Sequence, residues 1–123
     1  MLGDKDVTVV LGVKNLDTAG KFYEQTLGLK KGDPVPGGVF YHSGNCTVFI
    51  YETEFAGTNK ATAATWTVDD VKSAVAALEQ KGVVFEQYDL PGMARDGVIH
   101  SMGTMQAVWF KDPDGNILNI VSM

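Results

Sequence analysis

The chain has 123 residues, 45% of them hydrophobic and 20% charged, with a formal net charge of −5. This composition excludes a disordered chain and is expected of one domain with its own core. No apolar run reaches the roughly 18 residues of a membrane span, and the densest basic stretch, Lys30-Lys31, is no nucleic-acid footprint. Cys46 is the only cysteine, which excludes an internal disulfide and an all-cysteine zinc site. Its apolar neighbours predict a small buried thiol. The opening MLGDKDVTVV lacks a basic segment followed by a long apolar one, so no secretory signal is expected. The expectation is a cytoplasmic protein with no membrane or nucleic-acid partner.

In chain order, VTVVLGV (7–13) reads as a β-branched strand. Ala19, Phe22, Tyr23 and Leu27 then recur at helical spacing, with Asp17 as N-cap and Gly28 as stop. GDPVPGG (32–38) is a loop by composition. VFYHS and CTVFIYE form a hairpin about Gly44-Asn45. A second cycle follows the polar stretch 56–60. ATAATWTV (61–68) is a strand, Asp69 or Asp70 caps a helix carrying Val71, Ala74, Val75 and Leu78, and Gly82 ends it. VVFEQY (83–88) reads as a strand and 89–104 as a long loop whose Gly92, Gly97 and Gly103 suit the hinges of a lid. QAVWF and NILNIVS flank the turn Asp112-Pro113-Asp114-Gly115.

This order, strand, helix, strands, occurs twice. At an offset of 55, Val13 falls on Val68, Leu16 on Val71, Ala19 on Ala74 and Glu24-Gln25 on Glu79-Gln80. At an offset of 69, Val39-Phe40-Tyr41 falls on Val108-Trp109-Phe110. One domain over 1–123, built from repeats at about 1–55 and 61–123, is expected.

Two motifs carry a resemblance. VKNLDTAGKFYEQTLGL (13–29) and WFKDPDGNILNI (109–120) resemble the opening and closing signatures of the vicinal oxygen chelate superfamily. That group includes glyoxalase I, bleomycin-resistance proteins and extradiol dioxygenases. The resemblance implies an α+β fold of tandem βαβββ modules. Their sheets curl around a concave cavity, with helices on the convex side. It also implies a homodimer. Phe22-Tyr23 reads as helix-to-sheet core and the Asp-Pro-Asp-Gly segment as a turn. Such motifs identify a fold, and a fold does not identify a reaction.

Metal-dependent members of that superfamily place His or Gln, His, and two carboxylates on inward strand positions. The matching positions here are Thr8, Ala63, Phe49 and Asn119. Alanine and phenylalanine cannot ligate, and Thr and Asn are weak neutral donors. The expectation is therefore no metal and no other cofactor. Strand alternation aligns Thr47 and Tyr51 with Phe49, Thr65 and Thr67 with Ala63, and Ile117 and Val121 with Asn119, leaving Trp66 on the helix side. The candidate ligand-binding set is Thr8, Phe40, Phe49, Tyr51, Ala63, Tyr88, His100, Trp109 and Asn119. Met93, Met102 and Met105 are rim candidates, and Arg95 is a candidate anion contact. The plainer reading is that the aromatics fill the concavity or a dimer interface. His42 and His100 read as a hairpin-end and a loop histidine; His100 is also a candidate ligand contact or general base.

The leading functional expectation is a metal-independent protein that binds an aromatic or amphipathic small molecule, resembling the bleomycin-resistance type. The alternative is a lyase, isomerase or dioxygenase-like enzyme with displaced metal ligands or metal-free acid/base residues. A third is a structural dimer with no small ligand.

Overall fold

A computed structural model describes residues 1–123. The β-branched run becomes β1 (Thr8–Val13), and helix α1 (Leu16–Lys21) continues into a π-helical turn over Phe22–Thr26. The cap is Asn15, whose side chain accepts from the Thr18 amide; Asp17, expected there, lies inside the first turn. Strands β2 (Lys30–Val35), β3 (Gly38–Ser43) and β4 (Cys46–Glu52) complete a four-stranded sheet in the order β1-β4-β3-β2, with β1 and β4 parallel. The second cycle runs β5 (Thr62–Thr67), α2 (Val71–Glu79), β6 (Ala94–Asp96), β7 (Ile99–Met102), β8 (Met105–Lys111) and β9 (Ile117–Ser122). Its sheet has the order β5-β9-β8-β7-β6. This is the βαβββ arrangement, an α+β fold with two curved open sheets. Asp70 caps α2 by accepting from the Lys72 amide.

Three strand and loop expectations change. Residues 30–35 form an edge strand despite Gly32 and Pro34, because a shift in register between Lys31 and Pro34 absorbs the proline. VVFEQY is not a regular strand, and its one β-pairing with β8 is a bridge between Phe85 and Phe110. Residues 89–104 are not an open lid: 94–96 and 99–102 pair as a hairpin, and Gly97 and Gly103 occupy its turns. Glycine-rich composition marked the turns and hid the short strands between them.

One continuous core joins both cycles. Leu11, Val13, Val48 and Ile50 of the first sheet meet Val71, Val108, Phe110 and Leu118 of the second cycle in it. Burying each such side chain contributes about 1.5–3 kcal/mol. Phe22 packs on Tyr23 and Phe110, at ring-centre distances of 5.3 and 6.4 Å. Trp66 packs against the same core, as strand alternation predicts, and donates to Ser43 Oγ at 2.9 Å. Cys46, expected buried, is exposed because it opens β4 beside the hairpin turn.

The tightest polar feature is the turn 112–116. Asp112 is 4% exposed, and its carboxylate accepts from the amides of Asp114 and Asn116, the Asn116 side chain and the Tyr23 hydroxyl. Asn116 also donates to the Gly12 carbonyl, and Asp114 accepts from the Lys14 amide. The closing turn of the second cycle is thus bonded to the opening strand and helix of the first. Burial, then the Asp112 charge, pushes the Tyr23 phenol far above its ordinary pKa, so it remains a donor. Gly57 lies against the same turn at φ +70°, where a Cβ would sit 1.8 Å from the Asp114 carbonyl oxygen.

Tyr23→Phe is expected to lower stability in urea unfolding by about 1.5–3 kcal/mol, the range for a bond to a charged group. Asp112→Ala strands several buried donors and is expected to cost more. Equal stability of either variant and the parent chain would contradict this account. Asp70→Ala should lower Tm at neutral pH. The Ser73 hydroxyl, with help from the Lys72 and Ser73 amides, holds the Asp70 carboxyl below its usual pKa. Its stabilisation is therefore present above the unfolded carboxylate pKa of about 3.9 and is lost as pH falls through the lower folded value. The Tm difference should close over that acid window.

Candidate functional site

Register fixes which side chains share the faces away from the helices. In the first sheet, Phe40, Phe49 and Val10 lie in one cross-strand row, and Val35, Gly38, Tyr51 and Gly12 in the next. The Phe40 and Phe49 ring centres are 4.5 Å apart, and Phe49 and Tyr51 stack within 5° of parallel. Phe49 covers Gly38 so closely that a Cβ there would lie 2.3 Å from the ring. The aromatics therefore fill this face. It remains uncovered within one chain: Val10 is 56% and Tyr51 37% exposed. Thr8 is exposed beside Thr47 at the sheet edge.

In the second sheet the corresponding row is Thr65, Asn119 and Trp109. Asn119 is buried and spends both ends of its amide, accepting from Thr65 Oγ1 and donating to the Val108 carbonyl. Ala63 does not join this face. It is the extra residue of a bulge between Thr62 and Ala64 and packs against the core. Thr62 takes the outward place and accepts from Trp109 Nε1 at 3.1 Å.

His100 is not a loop residue. It sits on β7, fully buried, edge-on to Trp109 at 4.9 Å. Its Nε2 accepts from the Tyr88 amide at 3.0 Å, so the neutral ring carries its proton on Nδ1, which has no partner. This bond fastens the irregular segment around residue 88 to the second sheet. Arg95 is also held internally, donating to Gln87 and the Gly97 carbonyl at 2.9 Å. His42 is exposed on β3, opposite Thr47.

A groove of about 630 Å³ runs along the outward edge of the second sheet. Trp109 and Ile117 come from the sheet, Tyr88 and Leu90 from the fastened segment, and Asn59, Lys60 and Thr62 from the link into β5. Lys111 also lines it. Burial raises the Tyr88 phenol pKa, with Glu86 adding and Lys111 opposing, so Tyr88 is a neutral donor at physiological pH. Of the candidate binding residues, the groove brings together Tyr88 and Trp109. Thr8, Phe40, Phe49, Tyr51, Ala63, His100 and Asn119 do not line it. Lys111 was readable by alternation from Trp109, and Thr62 only through the bulge. Nothing in the sequence singles out Lys60.

The chain belongs to the Glyoxalase/Bleomycin resistance protein/Dioxygenase superfamily, whose family model matches residues 7–120. Among solved structures, it is similar to an integron cassette protein from the mobile metagenome of a Halifax Harbour sewage outfall. The identity is 20% and the TM-score 0.72, covering 98% of this chain and 99% of that one. It is also similar to lactoylglutathione lyase from Agrobacterium tumefaciens, with 18% identity, TM-score 0.70 and coverage of 96% and 93%. A genomically encoded fosfomycin resistance protein from Listeria monocytogenes gives 12% identity, TM-score 0.73 and coverage of 95% and 91%. At these identities the likeness shows the fold. No curated protein matches the chain.

The positions that hold metal ligands in metal-dependent members of the superfamily carry a different chemistry here. Phe49 has no donor atom and is packed on Gly38, Ala63 has none either and packs against the core, and Asn119 is spent on Thr65 and Val108. No group of three or more His, Cys, Asp or Glu side chains is placed to hold a metal ion. The residues at these positions do not fit a metal.

His100→Gln, which can present an acceptor near the Nε2 position, should keep the Tyr88 segment in place, whereas His100→Leu should release it. In a Trp66→Phe background, Trp109 emission should shift to the red and become more accessible to iodide in the Leu variant only. Identical spectra for the two would contradict the tether.

Proposed function

We propose that this chain binds a small molecule with a flat apolar body in the groove beside Trp109, without a metal, as a cytoplasmic homodimer. The observation that carries this is the contrast between the two outward faces. At the position equivalent to Asn119, the first sheet carries Phe49 and is packed full. The second leaves Trp109, Tyr88, Leu90 and Ile117 around open space. Aromatic walls with a few polar groups suit a planar ligand. The poor donor set supports sequestration or binding over metal-assisted chemistry. An acid/base enzyme using His100 is less well supported: its ring does not line the groove and Nε2 is held by a backbone amide.

The homodimer reading is supported by the uncovered aromatic face of the first sheet. Val10, Phe40, Phe49 and Tyr51 form a contiguous apolar surface that a second copy would remove from water. Sedimentation equilibrium should give a dimer, and Val10→Asp should shift it to monomer while circular dichroism is unchanged. A parent chain that sediments as a monomer at all concentrations would contradict this reading.

Ligand binding is tested by titrating the Trp66→Phe protein with a panel of uncharged and charged aromatic compounds while following Trp109 emission. Saturable quenching at one site per chain is expected for some members, weakened about tenfold or more by Leu90→Asp. Absence of saturable binding across the panel would overturn the proposal.

A further inference from the structure

The groove's polar groups are unevenly used. The Asn59 side-chain oxygen already accepts from the Ala61 amide, and Thr62 Oγ1 accepts from the Trp109 indole. Each oxygen thus has one of its two lone pairs used, while the Asn59 amide protons and the Thr62 hydroxyl proton are all free to donate. The Tyr88 hydroxyl makes no hydrogen bond within the chain, and its raised pKa keeps it a donor. Lys60 has no ion-pair partner, and Lys111 has one half-buried partner, Glu86, at 3.4 Å. No acidic side chain lines the groove, in a protein whose net charge is −5. Donors and positive charge are thus gathered beside an indole, while two of the nearby side-chain acceptors are already partly used by the protein itself.

We infer that the ligand carries an oxyanion on its planar apolar body. The class is an aromatic carboxylate, sulfonate or similar acid, its ring beside Trp109 and its charged end toward Lys60, Lys111 and the Tyr88 hydroxyl. This inference rests on the groove being the ligand site and adds the charge of the ligand. The fit is chemical: an oxyanion is an acceptor only, with several lone-pair directions, and it matches a site with two lysines, several free donors and no carboxylate. Two lysines in an otherwise acidic molecule also give local attraction without long-range steering.

The test uses the full chain and two probes of nearly equal apolar body, anilinonaphthalene sulfonate and uncharged phenylnaphthylamine. Their affinities are measured by fluorescence titration in the parent chain, the double variant Lys60→Gln/Lys111→Gln, and Glu86→Gln. The sulfonate is expected to bind about fivefold or more tighter than the amine, an advantage that shrinks with added salt. The double lysine variant should lose that advantage while binding the amine within about twofold of the parent. Glu86→Gln, which removes the carboxylate competing for Lys111, should strengthen sulfonate binding. All these side chains reach solvent, so the variants should keep the parent's circular dichroism and Tm. If both probes bind equally in the parent, or the lysine variant binds the sulfonate undiminished, the oxyanion inference is overturned and the groove reading stands. If neither probe binds, both fall.

Discussion

The carboxylate of Asp112 is the point on which the two halves of the molecule turn. A buried charge is tolerated only when its hydrogen-bonding capacity is met, and here it is met from both halves. Two amides and a side-chain amide come from its own turn, and a phenol comes from the helical turn of the first cycle. Asn116, aligned by that carboxylate, reaches on to the Gly12 carbonyl. The Asp-Pro-Asp-Gly-Asn and Phe-Tyr motifs, nearly ninety residues apart, are therefore two sides of one contact. Of the two, only the closing turn reaches the groove, through Gly115.

That clamp draws the helix-bearing sides of both sheets into one core and turns their other faces outward. The outward faces then diverge through single residues. On the first, Gly38 lets Phe49 lie flat on the backbone, and Phe40 and Tyr51 pack beside it. On the second, the equivalent of Phe49 is Asn119, whose amide is absorbed by its neighbours. Trp109 is left at the edge of an open groove. His100 completes that wall by holding the Tyr88 backbone. One fold thus provides an apolar surface on one side and a donor-lined groove on the other.

Much of the architecture was legible in the sequence. The repeat made Phe40 equivalent to Trp109 and Phe49 to Asn119, and the register agrees, pairing Phe40 with Phe49 in one sheet and Trp109 with Asn119 in the other. Alternation placed Trp66 on the core side, where it lies. The misses have local causes. Residues 30–35 and 94–102 are short strands whose glycines and prolines resemble a loop. Asn15 outcompetes Asp17 for the cap, since the chain turns helical two residues earlier than Asp17 requires. The β5 bulge exchanges Ala63 for Thr62, and alternation counted along one strand cannot see an inserted residue. The groove was less legible because Lys60, Leu90 and Lys111 come from a linker, an irregular segment and a strand end that meet only in three dimensions.

We propose that this chain binds its ligand without a metal. Metal content decides it. The protein, purified without a histidine tag, would be measured by elemental mass spectrometry before and after incubation with zinc, nickel, manganese and ferrous iron, followed by gel filtration. Well below one metal ion per chain is expected under every condition. One tightly held ion per chain would contradict it, and would mean that the assembled protein builds a ligand set from residues other than Thr8, Phe49, Ala63 and Asn119.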